Sequence, residues 1–217
     1  MPIALSPDTD PRQLPPETKA KWVQESKGAL IDILADTEVS GNLDLSFPDL
    51  KRLPENLRVL GHVAVNMSQI EEIPASLSSR GISADGCRNL KAIRANNISG
   101  DVLIGDCPLL EELPLDFYVN GNLHIANCPR LKRIPNGLVV TGNMYLENLE
   151  NLLSIGKHSL VIGDILFESC PKLRTPPSDL RNTGTLSIIK CPHIDQDKLP
   201  AKVTLRKDPP PRILFRL

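Results

Sequence analysis

The sequence predicts an α/β-type repeat solenoid of about eight units, each 19 to 21 residues long, with a parallel sheet along one face and a helical cap at the N-terminus. Three observations carry that expectation. One frame, clearest in GNLHIANCPRLKRIPNGLVVT from Gly121 to Thr141, recurs from Gly41 to Ile194, with units opening at Gly41, Gly61, Arg80, Gly100, Gly121, Gly142, Gly163 and Gly184. At the head of the frame, Val119, Gly121, Leu123 and Ile125 alternate with polar or small residues, the period of a strand with one buried face. Three further apolar slots follow, here Cys128, Leu131 and Ile134, and they take the chain round a bend before the next unit. A single unit cannot bury its apolar face, so the units must stack.

Taken in order, residues 1–16 hold five prolines and several small polar residues, the composition of an unstructured arm or of an unfolded secretion address. Residues 17–40 form the expected N-terminal cap. Trp22, Ala29, Leu30, Ile33 and Leu34 recur at helical spacing from Glu17 to Asp36, and Pro16 suits the start of the first turn. Such a helix covers the open end of a solenoid; a partner-binding helix is the alternative.

Residues 41–196 are the repeat array. In its first two units Phe47, Leu50 and Leu53, then Met67, Ile70 and Ile73, fill the three later apolar slots. Cys107-Pro108, Cys128-Pro129, Cys170-Pro171 and Cys191-Pro192 each place a residue without a backbone donor just after a strand, which ends the ladder. The Leu-x-x-Ile-Pro segment that follows returns the chain for the next, parallel strand. Charges on that segment alternate in sign from unit to unit: Lys51 and Arg52, Glu71 and Glu72, Lys91, Glu111 and Glu112, Lys132 and Arg133. Stacking then sets opposite charges beside one another, a device for register in which each exposed pair contributes about 0 to 1 kcal/mol.

Residues 197–217 leave the frame. One last strand is expected at Val203 to Leu205, followed by Pro209 to Pro211 and an apolar tail of Ile213, Leu214, Phe215 and Leu217. The tail reads either as a C-terminal cap that folds back or as the start of a further domain.

The Gly-Asn/Asp-Leu strand start and the Ile-Pro or Leu-Pro return resemble the leucine-rich repeat in a bacterial form, and the resemblance covers Gly41 to Ile194. Two features depart from it: Cys stands where many such repeats have a buried Asn, and the strand opens Val-x-Gly-x-Leu. With a Trp-bearing helix ahead of the array, the chain is similar to the recognition half of IpaH-type effectors delivered by type III secretion. That resemblance implies a partner protein in a host cell. It also implies, for the intact effectors, a ubiquitin ligase domain with a Cys-x-Asp motif, which none of the five cysteines here provides. A recognition fragment of such a ligase and a scaffold or immunity protein inside the bacterium are the alternative readings.

Composition excludes several classes. A net charge of −1, from 25 basic and 26 acidic residues, supplies no electrostatic footprint for nucleic acid. No apolar run is long enough to span a membrane, and the first residues lack the basic and apolar regions of a secretory signal. The expected setting is therefore the cytoplasm of the producing cell, or a host cytoplasm reached by type III secretion. Cys87, Cys107, Cys128, Cys170 and Cys191 share one inward slot, with Leu149 in the unit between, and are expected to be reduced, buried thiols. No His-Glu-x-x-His, phosphate loop or Gly-x-Ser-x-Gly occurs, and Cys191-Pro192-His193 has no companion cluster. The expectation is a non-enzymatic monomer with no catalytic residue, no metal and no cofactor.

What remains informative is the outer face of the strands, whose middle column reads Asp44, Ala64, Ser83, Leu103, His124, Tyr145, Leu166 and Ser187. Four consecutive units thus place Leu103, His124, Tyr145 and Leu166 toward solvent, with Glu147 and Glu168 on one flank, Asp101 and Asp164 on the other, and Ile189 at the far end. Strand propensity alone explains isolated residues of this kind. Four adjacent rungs span about 15 Å, the width of a docking peptide or helix, and an apolar centre with a charged rim is the composition of a protein-binding patch.

Overall fold

The computed structural model describes residues 10–199 and 204–206. The eight expected strands are all present: Leu43–Asp44, Arg58–Ala64, Ser78–Asp85, Val102–Gly105, Leu123–Ala126, Met144–Glu147, Ile165–Glu168 and Thr185–Ile189. They pair in parallel, each with its neighbour in the chain, in a ten-stranded sheet that Glu38–Val39 opens and Thr204–Arg206 closes. The result is a parallel-strand solenoid of about seven turns. The described part of the closing strand is Thr204–Arg206; Val203 lies outside the described residues, as does the apolar tail.

The return path differs from the α/β expectation. The only α-helix among the described residues is Pro16–Glu25, in the cap, and no return segment holds one. Instead, two-residue strands at Asn97–Ile98, Tyr118–Val119, Val139–Val140, Leu160–Val161 and Arg181–Asn182 build a second parallel sheet. Glu72–Ile73 and Ala92–Ile93 pair in a third. The physical reason is length. A 21-residue unit needs most of its chain for two extended sides and two bends, which leaves no room for three helical turns.

Between the two sides lies the core, built of inward columns such as Val63, Ile82, Val102, Leu123, Met144, Ile165 and Leu186, all at most 1% exposed. After each long strand one residue takes the left-handed conformation: Asp106, Asn127, Asn148, Ser169 and Lys190 have φ between 46° and 54°. That kink drops the next residue into the core as Cys107, Cys128, Leu149, Cys170 or Cys191. Asn and Asp suit it because they tolerate that region better than most residues. In the second unit the kink falls on Met67 (φ 57°), so Met67 is 65% exposed and Ser68 takes the inward slot expected for it. Ser68 Oγ then lies 3.6 Å from Cys87 Sγ.

The cysteine column is free of disulfides, and its thiols face backbone carbonyls, as with Cys87 Sγ to Val65 O at 3.0 Å and Cys107 Sγ to Gly105 O at 3.1 Å. Neighbouring thiols, then burial, push Cys107 and Cys170 above the usual thiol range. Protonated buried thiols are poor nucleophiles.

At the strand start a glycine column lets rungs meet backbone to backbone. Gly142 N donates to Gly121 O at 2.8 Å and Gly163 N to Gly142 O at 2.9 Å. A Cβ on Gly142 would lie 2.6 Å from Gly121 O, and one on Gly163 would lie 2.6 Å from Gly142 O. The next residue extends the contact: Asn122 N donates to Asp101 Oδ1 (2.7 Å), Asn143 N to Asn122 Oδ1 (2.8 Å), Asp164 N to Asn143 Oδ1 (2.7 Å) and Thr185 N to Asp164 Oδ1 (2.7 Å).

The N-terminal cap is shorter and more broken than expected. The helix stops at Glu25, where Gly28 N reaches back to Val23 O (2.8 Å) with φ 86°, a glycine-made helix end. A 3-10 turn, Ile31–Leu34, completes the cap, so Ala20, Trp22, Val23, Ile31 and Leu34 are buried while Ala29 and Leu30 are exposed. Residues 11–13 also form a 3-10 turn, capped by Asp10, where an unstructured arm was expected to continue to residue 16; residues 1–9 lie outside the described residues.

The alternating charges pair in part. Lys91 meets Glu71 at 2.7 Å, Arg94 bridges Glu72 and Glu112, and Glu111 is taken by Arg130 where Lys132 was expected. All of these side chains are at least half exposed, so each pair contributes little.

Two outcomes follow. Gly142→Ala is expected to destabilise the chain by about 1–3 kcal/mol in denaturant unfolding, whereas Gly41→Ala, whose Cβ meets nothing within 4 Å, stays within about 0.5 kcal/mol of the parent. A thiol reagent such as DTNB should leave all five cysteines unmodified in native buffer and titrate all five in guanidinium, since none is more than 6% exposed.

Candidate partner-binding face

In-register stacking turns one position of the repeat into a continuous row. Leu103, His124, Tyr145, Leu166 and Ser187 are direct partners on successive strands, and beside them run Gly105, Ala126, Glu147, Glu168 and Ile189. The structure therefore brings together all six residues singled out from the sequence. On the outer face of a parallel sheet such partners sit about 4.8 Å apart.

Their exposure departs from the expectation. Leu103, His124 and Glu168 are half-buried, but Tyr145 is 4% exposed, Leu166 0% and Glu147 8%. Part of the reason is lateral packing. The His124 and Tyr145 rings meet edge to face with centroids 6.0 Å apart, and Leu166 is held between Tyr145 and Ser187. Lateral packing leaves the top of a side chain open, as at Leu103 and His124; at Tyr145 and Leu166 the top is closed as well.

The polar members of the face are engaged. His124 Nε2 lies 3.3 Å from Glu147 Oε1, across the diagonal between neighbouring strands, and His124, Glu147, Glu168 and Ser187 each have a further interaction. Burial pushes the Tyr145 phenol above its ordinary range; an Asn143 hydrogen bond opposes this, and the carboxylates of Asp164 and Glu147 add to it. Glu147 and Glu168 stand directly abreast. Like charges directly opposite on paired strands are unfavourable, and each of the two carboxylates has a further interaction.

The other flank has a structural use. Asp101 and Asp164, expected as part of the charged rim, turn their oxygens to the next rung: Asp101 Oδ1 also accepts from Asn122 Nδ2 at 3.0 Å, and Asp164 Oδ1 from Thr185 Oγ1 at 2.8 Å. Ser187 belongs to the buried end of the row, with no exposed surface. Sequence reading left it out because a serine carries no apolar signal; its place in the column was the available clue.

A broader concavity lies along the return segments, where Arg94, Glu112, Arg133, Lys157 and Arg174 line it with mixed charge. Leu113, Leu115, Pro135, Ile155 and Pro177 add apolar surface to it, with Leu115 71% exposed. Cys191 points inward and its neighbour His193 outward, and among the described residues no three His, Cys, Asp or Glu side chains converge on a possible metal position. No helix among them is long and apolar enough to cross a membrane.

The face can be read spectroscopically. The tyrosinate absorbance of the native chain is expected to show Tyr145 ionising above the ordinary phenol value of about 10, a step that Tyr145→Phe removes and that moves down to the ordinary value on unfolding. No protein-family model, curated protein or solved structure matches the chain.

Proposed function

We propose that the chain is a non-enzymatic interaction module of leucine-rich-repeat type, whose strand face binds an extended protein segment carrying apolar and basic side chains. The observation that carries this reading is the row Leu103, His124, Tyr145 and Leu166 abreast of the carboxylate pair Glu147 and Glu168. The half-buried Leu103 and His124, the latter held edge to face by Tyr145, offer an apolar and aromatic edge to side chains such as Leu, Ile or Phe. The paired carboxylates select Arg or Lys at one edge. A host protein as the partner, reached by type III secretion, is supported by the repeat's resemblance to effector recognition domains.

Selection of peptides from a random library on the immobilised chain tests the reading. Enriched peptides should combine two or more large apolar residues with Arg or Lys, and Tyr145→Ala should weaken them at least tenfold while the thermal unfolding transition persists. Enrichment of acidic or uncharged peptides, or binding indifferent to Tyr145→Ala, overturns it.

A further inference from the structure

We propose that the concavity along the return segments is a second interaction surface, apart from the strand face, and that it takes a peptide carrying a phosphorylated serine or threonine close to a large apolar residue.

The first observation is a lapse in the charge alternation. Elsewhere on the return side a cation on one rung meets a carboxylate on another: Arg94 bridges Glu72 and Glu112, and Arg130 holds Glu111. Lys132 and Arg133 fill the same slots one rung on, but the rung after that sets Leu153 and Ser154 where acids are due, and Arg174 and Thr175 come next. Arg133 therefore stands in register with Ser154, and Arg174 N donates to Leu153 O at 3.1 Å. Lys157, from the middle rung, lines the same concavity. Among the described residues, the side chains of Arg133, Lys157 and Arg174 make no ion pair or hydrogen bond, and all three are exposed. Glycine and Asx contacts already set the register, so the stacking does not require these cations.

The second is shape. The three cations come from three consecutive rungs and are thus spread over about 10 Å. The concavity that they line holds about 940 Å³, and Leu113 and Leu115, on the rung before Arg133, give it an apolar side, with Leu115 71% exposed. A single exposed leucine or a single exposed cation is ordinary; here they converge.

The third is chemistry. A phosphate monoester carries about −1.5 to −2 charges at neutral pH and three acceptor oxygens, so one group answers a surplus that would take several carboxylates at matched spacing. Guanidinium forks suit phosphate oxygens in pairs, and clusters of arginine are a recurring means of holding phosphorylated peptides. The apolar rung favours a peptide over a nucleic acid strand. Glu111 and Glu112 continue the surface beyond Arg133 and would repel a running phosphate backbone.

The test offers the immobilised full chain two pools of labelled peptides, one with a fixed phosphoserine between randomised positions and one with serine in its place. The phosphorylated pool is expected to bind about tenfold or more tightly, and its enriched members should carry Leu, Ile, Met or Phe close to the phosphoserine. Arg133→Gln with Arg174→Gln should abolish the preference for phosphate. Arg133→Lys with Arg174→Lys keeps the charge, gives up the forks and should cost about fivefold in affinity. Leu115→Ser should remove the apolar preference alone. These side chains are exposed, and thermal unfolding checks that the array is intact. The double glutamine variant should leave strand-face binding as it is, since the two surfaces share no residue, so either can fail without the other. Equal binding of the two pools, or a preference for phosphate indifferent to the double glutamine variant, overturns the proposal. So does duplex DNA that displaces the enriched phosphopeptides and binds with the same dependence on Arg133 and Arg174 but none on Leu115, because that marks a surface for polyanions at large.

Discussion

Everything in this molecule depends on how closely one rung can approach the next at the start of the long strand. Backbone stands against backbone there, with Gly163 N on Gly142 O and Gly142 N on Gly121 O, and no room for a Cβ between them. The Asn and Asp side chains one residue later cap the next rung's amide. Together they set both spacing and register, because a one-residue slip would put a Cβ where only hydrogen fits and would turn the inward columns outward. The left-handed residue after the long strands, the inward slot behind it and the return segment all follow from that fixed start.

Because register is fixed, a choice made at one position of the repeat becomes a surface. Leu103, His124, Tyr145 and Leu166 are separated by about 21 residues each and still stand as neighbours. The same stacking explains why the exposed ion pairs matter little to the fold: Lys91 with Glu71 and Arg94 with Glu72 decorate a register already set by backbone contacts. A surface side chain of this solenoid that makes no rung-to-rung hydrogen bond is therefore free to vary with little cost to the architecture, which is the condition for building a recognition face.

Much of this was legible in the sequence because the repeat writes each structural rule eight times. The repeat frame, opened by glycine in all units but the one at Arg80, located every long strand, and the shared cysteine slot located the inward column. Short-range features were less legible. The two-residue strands of the return side, such as Val139–Val140, are too short for a period to show. Gly28 interrupts a helical pattern that hydrophobic spacing alone carries on to Asp36. Met67 looks like a core residue until its left-handed backbone turns it outward and gives the slot to Ser68. Least legible was the burial of Tyr145 and Leu166, because alternation tells which side of a sheet a residue takes and says nothing of what lies above it.

The Asx ladder also gives the stack a direction: each oxygen on one rung accepts from the amide of the rung that follows. Under mechanical load applied at the C-terminal end, the last rung carries the strain alone, since each repeat rests only on its neighbours. The array then yields by peeling. Releasing one unit of about 21 residues lengthens the tether by roughly 65–70 Å, so a force–extension trace would count the rungs one at a time.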